Sequence, residues 1–144
     1  MYKGEPTKGI EFYNLLFKSD EFNIELGKVT LASGKLEAEL MMFLQRNGVT
    51  KNISKKTLGS LIEIGNEKKL FDNNLSISLN LIAKQRNYLT HNIYALFIDL
   101  LDETILEKNN LIDTDVVTYI DRVWQLKENL ISLAEIISRQ NDYT

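Results

Sequence analysis

The chain has no cysteine and a single proline, Pro6, in 144 residues. Without cysteine there are no structural disulfides, no thiolate metal sites and no cysteine nucleophile. With no proline after residue 6, nothing of that kind breaks a helix further along. There is one histidine, His91. Any histidine acid–base chemistry must therefore use it, and no protein-only metal site is expected. Gly-rich phosphate loops are missing as well: Leu58-Gly59-Ser60 and Ile64-Gly65-Asn66 lack the spacing such loops need. Serine-hydrolase motifs are absent, and no cofactor is expected. No run of residues is apolar enough to span a bilayer, and Met1 to Pro6 lack the apolar core of a signal peptide. The expectation is a cytoplasmic protein with no membrane partner.

What is present is helical patterning. The length suits one domain, 1–144, with residues 1–18 as an N-terminal extension packing on the rest. Within that extension, Ile10, Tyr13, Leu16 and Phe17 form a short amphipathic piece. Ser19 or Asp20 can cap a first long helix with Phe22, Leu26, Val29, Leu36, Leu40 and Phe43 on one face, Ser33 filling the gap in the repeat. Asn47-Gly48 is its stop signal. Thr57 caps a short helix, Leu58 to Ile64, ending at Gly65-Asn66. Asp72-Asn73-Asn74 starts a second long helix, from about Leu75 to about Glu107, which Asn109-Asn110 ends. Asp113 caps the last, from about Thr114 to about Arg139, with Val116, Ile120, Val123, Leu130, Ala134 and Ile137 on one face. No segment alternates with period two. The expected fold is all-α: an antiparallel helical bundle with three long helices and one or two short ones.

Net charge is −3, so bulk charge does not draw the chain to nucleic acid. The charge is uneven, however. Residues 51–69 carry five lysines (Lys51, Lys55, Lys56, Lys68, Lys69) against Glu63 and Glu67, whereas residues 99–144 carry ten acids against four bases. Solvated helix faces account for such runs most simply. The alternative is a basic lip beside a site, with an acidic back.

The second long helix carries two stripes. Leu75, Leu79, Ile82, Arg86, Leu89, Ile93, Leu96 and Leu100 form the first; Asn87, His91, Tyr94, Ile98, Leu101 and Ile105 form the second. Two stripes require neighbours on two sides, from the bundle or from a second copy. Arg86 interrupts an apolar stripe, so its guanidinium needs a carboxylate, carbonyl or phosphate partner. Asn87, His91 and Tyr94 are spaced so that their polar groups can converge. Arg86 and His91 stand about 140° apart on a straight helix, and a kink or a two-fold dimer would bring them together.

Arg86-Asn87-x-x-x-His91 inside a long helix of a small all-α chain resembles the defining motif of the HEPN superfamily. The likeness covers roughly residues 20–140 as an architecture, and its specific part is the six-residue core. It implies a homodimer through the Arg86–Ile105 helix with the motif at the interface, and a metal-independent ribonuclease or RNA-binding effector of the toxin or defence type. By that resemblance Arg86 holds the scissile phosphate, His91 handles protons at the 2′-hydroxyl or leaving group, and Asn87 orients either. Tyr94 is a neighbour suited to base stacking, and Lys55 and Lys56 are candidate contacts to the RNA backbone. The competing structural account makes Arg86 an ion pair with Glu37 or Glu39 of the first long helix. A different function class also fits the acidic second half: a non-enzymatic immunity or antitoxin protein that covers a basic nuclease toxin through charge steering.

Overall fold

The computed structural model describes residues 6–50, 52–91 and 113–142. Among them are five helices and no strand: α1 (Pro6–Lys18), α2 (Asp20–Arg46), α3 (Leu58–Glu67), α4 (Asn73–His91) and α5 (Asp113–Asp142). The protein is an all-α helical bundle. No described helix is long and apolar enough to cross a membrane.

Local chemistry sets most of the boundaries. The Ser19 hydroxyl accepts the Phe22 N–H at 3.1 Å and starts α2, the Thr57 hydroxyl accepts the Ser60 N–H at 3.3 Å and starts α3, and the Asp72 carboxylate accepts the Leu75 N–H at 2.7 Å and starts α4. Asn47-Gly48 stops α2 as the sequence indicates. Gly48 takes φ +89°, Val49 N–H returns to the Leu44 carbonyl and Gly48 N–H to that of Gln45. α3 ends by the same double bond, Leu70 to Gly65 and Lys69 to Asn66, with Lys69 in the left-handed region at φ +56°. It therefore runs past the expected stop at Gly65-Asn66. Gly65 is a packing residue and not a terminator, because a Cβ there would run into the Phe71 ring. Phe71 in turn stacks on Phe43 of α2, ring centroids 5.5 Å apart.

The core forms along α2 and α5. α2 buries Phe22, Val29, Leu36 and Phe43 at seven-residue spacing, with Ser33 and Leu40 between them and Leu26 partly buried. α5 buries the expected Val116, Ile120, Val123, Leu130, Ala134 and Ile137, and a further row, Tyr119, Leu126 and Leu133, that makes its apolar face wider than one stripe. Two polar ties link the helices at one offset: Lys127 to Glu25 and Asn141 to Glu39, each pair 102 positions apart in sequence. A constant offset means that α2 and α5 run parallel. From Phe71, just before α4, to Arg86 within it, the order of partners on α2 reverses, Phe71 meeting Phe43 while Arg86 meets Glu37. The chain thus goes up, back and up again, which makes first and third long helices parallel in a bundle whose successive long helices alternate.

The short N-terminal stripe is only half right. Leu16 is buried and Tyr13 partly so, but Ile10 and Phe17 are exposed, and Leu15 takes their place against the core. The cause is the join to α2. Ser19 N–H bonds the Leu16 carbonyl, and the Asn23 amide lies within hydrogen-bond reach of the Leu16, Phe17 and Ser19 carbonyls. That clasp turns Leu16 inward and Phe17 out.

Candidate functional site

α4 is held against α3 by a small polar network. Ser76 Oγ donates to Asn66 Oδ1 at 2.6 Å, and Asn66 Nδ2 donates to Asn80 Oδ1 at 3.0 Å. These contacts join the end of α3 to the beginning of α4. At the other end the helices border an open groove of about 460 Å³, lined by Thr57, Gly59, Ser60 and Glu63 from α3 and its cap, and by Ala83, Lys84, Arg86 and Asn87 from α4.

The first turn of α3 presents backbone N–H groups that have no partner within the helix, and the positive end of its dipole. The Thr57 cap accepts one of them. Lys84 adds an ammonium that stands 5.9 Å over the Tyr88 ring. Asn87 is exposed, with an amide that can donate or accept. Arg86 is about three-quarters covered, its side chain 28% exposed, and its Nη2 lies 3.8 Å from Glu37 Oε1. The arginine expected on an apolar stripe thus meets a glutamate of the first long helix, α2, and it is Glu37. Glu39 accepts from Asn141 instead. The ion pair does not seal Arg86, which still lines the groove.

Of the sequence-predicted residues, Arg86 and Asn87 share this groove. Lys55 and Lys56 are exposed in the turn just before the Thr57 cap and stand outside its lining. His91 is the last described residue of α4, four positions after Asn87, and its side chain lies outside the described residues, as do Tyr94, the expected continuation to Glu107 and the greater part of the second stripe. Thr57, Ser60, Glu63 and Lys84 were not foreseen as site residues. Lys84, three positions before Asn87 on the same helix face, is the one a face-by-face reading could have found. The others depend on which helix packs on α4.

A second groove, about 290 Å³, lies on the other side of α4 against α5. Ser78, Gln85, Asn129 and Ser132 line it with Leu81, Ile82 and Leu133, and it carries no charged residue. Of the two, the α3–α4 groove has the cations and open helix end that an anionic ligand needs. No family model, curated protein or solved structure matches the chain.

Proposed function

We propose that the chain acts on RNA in the manner of the HEPN superfamily, with the groove between α3 and α4 receiving a phosphodiester. The observation that carries this reading is that Arg86 and Asn87, the first two residues of the motif, open into one groove together with Lys84 and the first turn of α3. A planar guanidinium, an ammonium and helix N–H groups together suit a phosphate oxygen and the charge that develops on it. The exposed Lys55 and Lys56 beside the Thr57 cap extend positive charge outward, where a strand would continue.

The chemistry is an in-line transesterification. The 2′-oxygen attacks phosphorus, the bond from phosphorus to the 5′-oxygen breaks, and the products are a 2′,3′-cyclic phosphate and a 5′-hydroxyl end. The proton lost from the 2′-hydroxyl is balanced by the one gained at the leaving oxygen. In this proposal His91 carries out the proton transfer, Arg86 neutralises the phosphoryl oxygens and Asn87 orients one or the other. His91 follows Asn87 by four positions, one turn along the same strip of α4. Homodimerisation through this helix, which would place two copies of the motif in one cleft, belongs to the same proposal, as does membership of the superfamily.

The test is cleavage of varied RNAs by purified protein in EDTA, beside Arg86→Ala and His91→Ala. Cyclic-phosphate ends that vanish in both variants establish the activity. A second reading has its own observation: Asp121, Glu128 and Glu135 repeat every seven residues along α5, and Asp121 and Glu135 are exposed. An acidic row of this kind suits an immunity or antitoxin protein facing a basic nuclease. No cleavage by equally folded wild type and variants, together with partner binding lost on reversing these acids, selects that reading.

A further inference from the structure

Glu37 is the charged neighbour of the groove that the proposed reaction leaves unused. It belongs to α2, not to either groove helix. Its Oε1 lies 3.8 Å from Arg86 Nη2, an ion pair without a short hydrogen bond between those atoms. The two side chains are 28% and 23% exposed, so an incoming anion can reach them. Within the groove the described cations are Lys84 and Arg86, and the carboxylate of Glu63 lines it too. Counting Glu37 behind Arg86, two positive charges are matched by two negative ones.

A fixed carboxylate acts on anions according to their charge. Repulsion from a fixed carboxylate scales with ligand charge, so a dianionic phosphate monoester is opposed about twice as strongly, in energy, as a monoanionic diester. Resting on the RNA reading above, we propose that Glu37 is a specificity-determining residue: it restrains Arg86 so that the groove accepts the singly charged phosphodiester inside a strand and denies terminal and free phosphates the advantage that their second charge would otherwise give them. The guanidinium turns from carboxylate to phosphate when a diester arrives. Without the Glu37 charge the net field at the groove would be positive and would favour the doubly charged anion.

The experiment compares wild type, Glu37→Gln, Glu37→Ala and Arg86→Ala, each first shown to melt cooperatively. The probes are a hydroxyl-ended dinucleoside monophosphate and a nucleoside monophosphate, at pH 8 so that the monoester carries two charges. Binding is followed by NMR through the backbone N–H signals of Gly59 and Ser60, which line the groove and are present in every variant. Removing the Glu37 charge tightens diester binding roughly five-fold, the scale of a part-exposed ion pair. It tightens monoester binding by about the square of that, roughly 25-fold. Both Glu37 variants give the same shift, and Arg86→Ala binds neither probe. Equal effects on the two probes, no effect, or weaker binding in the Glu37 variants would overturn the inference. So would absence of binding by wild type and Glu37→Gln alike. RNA cleavage without the selectivity shift sinks this inference and leaves the ribonuclease reading standing. A selectivity shift without RNA binding or cleavage does the reverse.

Discussion

The Lys127 ammonium lies 2.8 Å from the Glu25 carboxylate, across the interface between α5 and α2, with their side chains only 10% and 14% exposed. Lys127 also stands 5.7 Å over the Trp124 ring and 3.8 Å from Glu128. It occupies a position that repeats with Ile120, Ala134 and Asn141 every seven residues, inside the buried face of α5. A charged group in an apolar seam specifies register, because only one alignment of the helices gives it a partner. Asn141 and Glu39 repeat the device at the same offset further along, and the same register sets Ala32 level with Ala134, both buried.

Removing one member of this pair leaves the other desolvated. Lys127→Ala is expected to lower stability by about 2–3 kcal/mol, somewhat less than breaking a fully buried pair costs, because some solvent reaches both groups. The combined change Lys127→Met with Glu25→Gln should recover at least half of that loss. Urea denaturation of the single and double variants measures it. A single variant within experimental error of wild type would show that the pair contributes nothing to the α2–α5 seam.

Ser33 presents the opposite case. It is 1% exposed, in the α2 row that also holds Leu26 and Leu40, and its hydroxyl has no hydrogen-bond partner among the described residues. An unsatisfied buried hydroxyl carries a desolvation penalty. Ser33→Ala keeps the small volume, removes that penalty and adds helix propensity. We expect it to stabilise the protein by about 1 kcal/mol. A loss of stability in the same denaturation assay would mean that the hydroxyl is satisfied in solution.

These positions also show what the sequence makes legible. The Ser19 and Thr57 caps, the Asn47-Gly48 stop and the seven-residue rows of α2 and α5 all follow from local chemistry and periodicity, and each is where the pattern puts it. Ser33 could be placed in the seam only because its neighbours were apolar. What escaped depended on tertiary contact. Nothing local separates Gly65 as a stop from Gly65 as the floor beneath the Phe71 ring, and nothing announces that Lys69 will take a positive φ. The site divides the same way. Arg86 stood out because it interrupts an apolar stripe, and Glu37 was one of two glutamates in reach. Lys84 shares the helix face of Asn87, but the first turn of α3 joined the site only once α3 was seen to lie against α4.

The glycines of α2 and α3 make a paired test of that distinction. Gly27 lies mid-helix, exposed, and an added Cβ would meet nothing within 4 Å. Gly27→Ala should therefore stabilise by about 1 kcal/mol, the difference in helix propensity. Gly65→Ala gains the same propensity but drives a methyl into the Phe71 ring, which is itself stacked on Phe43. Overpacking of this kind costs about 1–3 kcal/mol, so the net effect should be a lower melting temperature. Opposite signs for the two substitutions are the expected result. Stabilisation by both would mean that Phe71 moves aside at little cost.

The last prediction concerns Lys55 and Lys56. Both are exposed, they precede the Thr57 cap directly, and neither lines the groove. If a strand lies with one phosphate in the groove, its neighbours pass this turn, and each lysine neutralises a backbone charge without touching the reacting atoms. Binding of a single-stranded RNA then depends on salt through the counterions released, at about 0.7 in the log–log slope for each phosphate neutralised. Replacing both lysines by alanine should flatten the slope by about 1.4 and weaken binding most at low salt. The rate of cleavage at saturating RNA should stay close to that of wild type, because Arg86, Asn87 and His91 are untouched. Arg86→Ala separates the two effects, since it should reduce cleavage at every salt concentration. Anisotropy titrations of a labelled oligonucleotide from 50 to 300 mM salt give the slope. An unchanged slope in the double variant would place the strand on another path out of the groove, away from the 52–57 turn.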